Sequence, residues 1–306
     1  MSGGVGESLL IRGVPIQFPY TTYGVQQVMM ERVLEAVQEQ KDALLESPTG
    51  TGKTACLLVA VLAWQQSLRA DESSAVPRVF YSSRTHSQLQ KVIRELGSTS
   101  YRPRMTLQGS RNQLCIHPTV EAAKGPLKSA MCRSLVGSGR CDNFESVAVH
   151  VAKRPHVAEV TDIEDLVAAG RRDHVCPYYL SRERTKTADI TFLPYNYLID
   201  PLARRHMAEE LNGAVLIFDE AHNLDSVCAD ASSFDLRDAD VAECIESING
   251  WGRVFPEDAK VAVAQVPRLS ALLSCLQGVS SGEHAGMVLP QCFERSGITM
   301  QEANEV

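Results

Sequence analysis

The chain has 306 residues, 44% hydrophobic and 22% charged, with 20 glycines and 14 prolines, a globular balance that excludes fibrous, low-complexity and disordered classes. The net charge is −7, but from Asp225 onward thirteen acidic residues face only five basic ones, so the body before it is near neutral and the overall acidity does not exclude a polyanionic partner. No apolar stretch approaches the length of a membrane span, and the opening Met1-Ser2-Gly3-Gly4 is neither a secretory signal nor, with Ser at position 2, a myristoylation site, which predicts a soluble, intracellular chain.

In chain order, the hydrophobic pattern predicts a helix over residues 26–40 and a short apolar strand over 43–45. The segment Ser47-Pro48-Thr49-Gly50-Thr51-Gly52-Lys53-Thr54 follows and opens an apolar helix over 54–68. Strand, glycine-rich loop and helix in that order form a phosphate cradle: backbone N–H groups and a helix N-terminus face a triphosphate. Lys53 then pairs with the β- and γ-phosphates, and Thr54 binds Mg²⁺. The strict pattern asks for glycine where Ser47 stands, but Gly50 and Gly52 keep the two permissive backbone positions.

Strand, helix and strand are predicted next over 79–83, 87–96 and 105–108. The alternation then stops. Residues 110–187 hold twelve Lys/Arg, nine Asp/Glu and four cysteines without a strand pattern, and they read as an insertion. Cys115, Cys132, Cys141 and Cys176 are separated by sixteen, eight and thirty-four residues, which is not zinc-finger spacing. Spacing alone leaves two readings open, a metal site and four packed thiols. Four thiolates match a [4Fe–4S] cluster in number, and Pro177 directly after Cys176 repeats the Cys-Pro of other cluster ligands.

The alternation resumes with a strand over 190–194, a helix over 197–210 and the apolar strand 214–218, which ends in Asp219-Glu220-Ala221-His222. An acidic pair at a strand's carboxyl end places Asp219 for the Mg²⁺ shell and Glu220 for orienting or deprotonating an attacking water. The acidic remainder carries helical stretches near 236–248 and 261–276. Alternating strands and helices predict an α/β fold with a parallel sheet covered on both faces.

The loop at 47–54, the segment Ser83-Arg84-Thr85-His86-Ser87-Gln88, the four cysteines, Pro194-Tyr195-Asn196-Tyr197-Leu198 and the Asp-Glu-Ala-His box together resemble the iron–sulfur DEAH helicases of superfamily 2. The resemblance implies a RecA-like P-loop NTPase sheet over 1–109 and 188–230, an iron–sulfur insertion over 110–187, and the start of a helical arch-type domain over 231–306. It implies ATP, Mg²⁺ and a [4Fe–4S] cluster as cofactors. Gln26 would read adenine, Arg84 and Thr85 would touch the DNA backbone, and His222 would couple the nucleotide site to bound DNA. The family's work is 5′-to-3′ DNA unwinding, and Leu114-Cys115-Ile116-His117-Pro118 looks most like its members that act in telomere maintenance, DNA repair and control of recombination. That implies a nuclear protein, single-stranded and structured DNA as partner, and replication or telomere proteins docking on regions C-terminal to this chain. The family's second RecA-like domain has no counterpart here, so a weak or silent ATPase is expected, with a DNA- or partner-binding fragment as the alternative function.

Overall fold

The computed structural model describes residues 6–70, 76–153, 162–233, 236–284 and 287–298. The elements in chain order are β1 (Glu7–Ile11), β2 (Val14–Phe18), α1 (Gly24–Glu39), α2 (Lys53–Arg69), β3 (Val79–Ser83), α3 (His86–Ser98), β4 (Met105–Leu107), α4 (Arg111–Leu114), α5 (Pro118–Glu121), α6 (Gly125–Gly137), α7 (Asp142–Lys153), α8 (Ile163–Asp173) and α9 (Pro177–Thr185). They continue as β5 (Ile190–Pro194), α10 (Asn196–Ile199), α11 (Pro201–Arg204), α12 (Ala208–Leu211), β6 (Val215–Phe218), α13 (Leu224–Ala231), α14 (Asp238–Val254), α15 (Pro256–Val263), α16 (Val266–Ser281) and α17 (Leu289–Arg295). The chain divides into two units, residues 1–117 with 141–232 and residues 118–140 with 233–306.

The first unit is built on a four-stranded sheet in the order β4-β5-β3-β6, with every neighbouring pair parallel. β3 and β5 are buried at all five positions, as central strands covered on both faces must be, and their sequences are accordingly near-continuous apolar runs. Side chains alternate between the faces. Val79, Tyr81, Ile190, Phe192 and Ile217 join the larger core with α1, α2 and α3, while Phe80 and Leu193 pack with Leu198 and Met207 on the opposite face. The buried carboxylate of Asp189 ties the entry of β5 to its surroundings, accepting from the Arg104 amide at 2.7 Å, the Arg104 guanidinium at 2.7 and 2.9 Å, and Arg69 at 2.6 Å. In the second unit, α14, α16 and α17 bury Val241, Leu272, Cys275, Cys292 and Phe293 together.

Three expectations are corrected, and one element not predicted is present. Residues 43–45 form no strand: β6 is the sheet's edge, and Leu44 is 93% exposed. Three apolar residues between Lys41-Asp42 and Glu46, with Pro48 close behind, are too few to hold a ladder without a partner. Residues 7–18 instead form an antiparallel hairpin whose turn, Arg12-Gly13, has φ of 48° and 79°, the left-handed pair that a primed turn requires. The helix predicted over 197–210 is broken at Asp200, whose ψ of 120° is the extended backbone that a following proline imposes. The stretch near 261–276 is two helices, with Pro267 in the first turn of the second.

Candidate nucleotide site

The loop between α1 and α2 is braced from within. Gly50 and Gly52 take φ of 80° and 76°, and Gly52 is the N-cap of α2, so the helix begins at Lys53. Ser47, which stands where the strict pattern has glycine, shares a 2.7 Å hydrogen bond with the Thr51 hydroxyl, and Thr51 donates to the Pro48 carbonyl at 2.9 Å. The serine therefore adds a strut across the loop that glycine lacks. The Lys53 ammonium folds back to donate to the Ser47 carbonyl at 3.1 Å. Gln26 reaches the same loop: its amide nitrogen donates to the Thr51 carbonyl at 3.0 Å, and its amide oxygen accepts from the Tyr23 N–H at 2.9 Å. An amide carries two donor hydrogens and two acceptor lone pairs, so one of each remains for a ligand.

The acidic box is held from the sheet. The Asp219 N–H donates to the Ser82 carbonyl at 2.9 Å, and the Tyr195 hydroxyl donates to the Asp219 carbonyl. Burial raises the Asp219 carboxyl above the usual range, opposed by the Tyr81 hydroxyl beside it; Glu220 adds to the rise and Lys53 opposes it. Lys53 and Asp219 thus act on one another across the site although 166 positions separate them in sequence. Burial, with Asp219 next in effect, pushes the Tyr195 phenol up to about 12.

Glu220 sits at φ 58°, a left-handed conformation that costs a non-glycine residue roughly 1–2 kcal/mol. A chain of polar contacts starts there. His222 Nδ1 lies 3.3 Å from Glu220 Oε2, His222 Nε2 is 2.9 Å from the Asn223 amide nitrogen, and the Asn223 amide oxygen accepts from Arg84 at 2.9 Å. Arg84 precedes α3, whose N-cap is Thr85; the Thr85 hydroxyl accepts from the Gln88 N–H at 3.3 Å while Gln88 Oε1 accepts from the Thr85 N–H at 3.1 Å. Glu220, His222 and Arg84 are thus brought to one surface through Asn223.

The four cysteines all fall at or within helices. Cys115 caps the end of α4, Cys132 lies inside α6, Cys141 precedes α7, and Cys176 is the N-cap of α9. Cys132, Cys141 and Cys176 are buried, and none of the nine cysteines is in a disulfide. The Cys176 N–H donates to the Asn143 carbonyl at 2.7 Å, which fastens the start of α9 to the start of α7. Four thiols suit an iron–sulfur cluster in kind, yet among the described residues no three His, Cys, Asp or Glu are gathered closely enough to hold a metal ion. A Mg²⁺ bound with nucleotide asks less of the protein, one or two oxygen ligands beside phosphates and waters, and the Thr54 hydroxyl with the Asp219 carboxylate fit it.

Several basic and aromatic groups of residues 110–187 are not open to a strand of nucleic acid. Lys128 and Arg184 are buried. Tyr178 is 5% exposed, with Arg111 at 4.3 Å over its ring and Arg182 at 4.8 Å, and Tyr179 packs edge-on against Phe144 at 4.6 Å. Arg154 lies outside the described residues. Sequence reasoning missed Tyr81 and Asn223 altogether. The one signal for Asn223 is its position directly after the box, and Tyr81 carries none until strand register is known.

A family model described as DEAD_2 matches residues 81–241, and one described as DEAD/DEAH box helicase matches residues 24–122. Regulator of telomere elongation helicase 1 from Mus musculus is 41% identical over 289 residues, covering 83% of this chain and 24% of the relative. The homolog of that helicase from Oryza sativa subsp. japonica is 45% identical over 280 residues, covering 77% of this chain and 27% of the relative. The chain thus spans about a quarter of the length of the curated relatives it matches. A solved structure titled XPD helicase superposes with a TM-score of 0.53 at 22% identity, covering 74% of this chain and 37% of that one, which fixes the fold as RecA-like.

Proposed function

Because the chain belongs to the DEAD_2 family of helicase domains, we propose that it supplies the ATP-holding part of an ATP-dependent DNA helicase. The observation that carries this reading is the meeting of Lys53 and Thr54, at the start of α2, with Asp219, at the end of β6. An ammonium, a hydroxyl and a carboxylate at one helix N-terminus are the groups that a Mg²⁺–triphosphate requires.

In this reading each residue has its part. Lys53 leaves the Ser47 carbonyl and pairs with the β- and γ-phosphates, while the loop amides at Gly50, Thr51 and Gly52 face phosphate oxygens. Thr54 and Asp219 hold Mg²⁺, which when bound neutralises charge on the transferring phosphoryl group. Glu220 orients or deprotonates the attacking water. Gln26 offers its remaining donor and acceptor to the adenine edge, and Ser47, Pro48 and Thr49 keep the loop in shape. Arg84 and Thr85 meet DNA phosphates, and His222 carries the state of that contact to the nucleotide side.

The finer reading follows the relatives. Cys115, Cys132, Cys141 and Cys176 hold a [4Fe–4S] cluster, on the ground that all four are thiols and three are buried. Residues 110–187 are the cluster insertion, 1–109 and 188–230 the nucleotide domain, and 231–306 the start of an arch-type domain. The whole protein unwinds DNA at telomeres, which the relatives' name supports, and the family resemblance of the motifs is the ground for 5′-to-3′ polarity, nuclear residence and action on recombination intermediates.

The test is binding of a fluorescent ATP analogue with Mg²⁺ by this chain, beside Lys53→Ala, with ATP turnover measured in the presence and absence of single-stranded DNA. At least a tenfold weaker analogue affinity in Lys53→Ala supports the site. Equal affinity removes it. DNA-stimulated turnover absent from Lys53→Ala assigns the chain an ATPase, and binding without turnover assigns it a holding role.

A further inference from the structure

Tyr81 sits in the middle of β3 with 0% exposure, and its hydroxyl is among the buried side-chain oxygens that have no hydrogen-bond partner. A buried hydroxyl left without a partner costs stability that phenylalanine would not. Phe80, the preceding residue, and Phe192, whose ring centre is 5.8 Å from that of Tyr81, show that a bare ring packs well in this sheet. The oxygen therefore calls for a reason other than packing.

Strand register supplies one. Tyr81 pairs with Ile217 across β3 and β6, and with a period of two the residue two places beyond Ile217 leans to the same face; that residue is Asp219. The Tyr81 hydroxyl accordingly stands beside the Asp219 carboxylate and the Thr54 hydroxyl without reaching ordinary hydrogen-bond geometry to either. Asp219 is already fixed at its amide by Ser82 and at its carbonyl by Tyr195. Only its carboxylate has no fixed handle from the sheet.

We propose that Tyr81 is a positioning residue of the Mg²⁺–nucleotide site, donating its hydroxyl hydrogen to one Asp219 carboxylate oxygen when the ion is bound, so that the other oxygen is presented to the ion opposite Thr54. This rests on the nucleotide-site reading above. A phenol donor held rigidly in a sheet restricts the rotation of the carboxylate before the ion arrives, so less freedom is lost on binding. Tyr81 touches neither nucleotide nor ion.

The experiment titrates the fluorescent ATP analogue against the full chain with Mg²⁺ and with EDTA, in wild type, Tyr81→Phe, Asp219→Asn and the double variant, with thermal unfolding of each. Tyr81→Phe is expected to weaken binding about tenfold in Mg²⁺ and to leave binding in EDTA unchanged. It is expected to unfold at the same or a higher temperature, which a merely structural role would not allow. In the Asp219→Asn background the Phe substitution should have no further effect on Mg²⁺-dependent binding. Wild-type Mg²⁺ dependence in Tyr81→Phe, or an equal loss with Mg²⁺ and with EDTA, overturns the proposal. Wild-type protein that binds no nucleotide, or Lys53→Ala that binds as wild type does, shows instead that the site reading beneath it is wrong.

Discussion

Replacing Gly52 and Gly50 by alanine separates backbone strain from steric crowding in the nucleotide loop. Both glycines hold left-handed backbone, φ 76° and 80°, where an alanine costs about 1–2 kcal/mol. A Cβ on Gly50 would meet nothing within 4 Å, so Gly50→Ala should cost that amount alone. A Cβ on Gly52 would stand 2.9 Å from the Gln26 amide nitrogen, which must withdraw and give up its 3.0 Å bond to the Thr51 carbonyl, about 1 kcal/mol more. Gly52→Ala should therefore destabilise by about 2–3 kcal/mol in total. In a Gln26→Ala background the bond is already gone, and Gly52→Ala should fall back to about 1–2 kcal/mol, a coupling of about −1 kcal/mol. Urea unfolding read through Trp64, which is buried toward the C-terminal end of α2, gives these values once Trp251→Phe removes the other indole. Equal costs at the two glycines, or a Gly52→Ala cost indifferent to Gln26, would refute the argument that Gln26 is wedged against the loop.

Asn223→Ala cuts the contact chain from Arg84 to Glu220 at its middle. Nucleotide affinity without DNA should be unchanged, while the factor by which single-stranded DNA alters that affinity, about fivefold or more in wild type, should fall toward one; a retained factor sinks the relay. Asp189→Ala removes three bonds from Arg104 and one from Arg69, but both guanidinium groups are half-exposed, 48% and 39%, and rehydrate. The expected loss in urea unfolding is therefore about 2–4 kcal/mol, short of a fully buried pair, and Asp189→Asn should recover part of it through the Arg104 N–H. Anaerobically purified chain should contain about four iron and four sulfide, lost in Cys141→Ser and in Cys176→Ser. Stoichiometric zinc without iron would overturn the cluster assignment.

What could be read along the chain was decided by short-range chemistry. Strands β3 and β5 are legible residue for residue because a strand buried on both faces is mostly apolar, as Val79–Ser83 and Ile190–Pro194 are apart from Ser82, Ser83 and Thr191. The run at 43–45 has the same look, and nothing in its sequence reveals that the edge of β6 is left without it. The hairpin over residues 7–18 escaped notice because its turn is Arg-Gly rather than Asn-Gly, although Val14, Ile16 and Phe18 alternate with exposed Pro15 and Gln17 as a half-buried strand should. Asp200-Pro201 carried its own break signal inside a helical pattern, and the apolar periodicity masked it.

The two halves of the site depend on the fold to different degrees. The phosphate loop is nearly self-sufficient: Ser47, Pro48, Thr51 and Lys53 hold one another within seven consecutive residues, and Gln26 reaches in from outside. That is why its spacing alone announces it. Asp219 is placed by Ser82 and Tyr195, contributed by two other segments of the sheet, with the Tyr81 hydroxyl beside its carboxylate. A fault in strand register shifts Tyr81 to the opposite face and withdraws it from Asp219, while Ser47 and Thr51 still brace the loop. On the proposed reading, nucleotide holding is accordingly the property least dependent on the fold, and the geometry for acting on the γ-phosphate depends on the rest of the sheet.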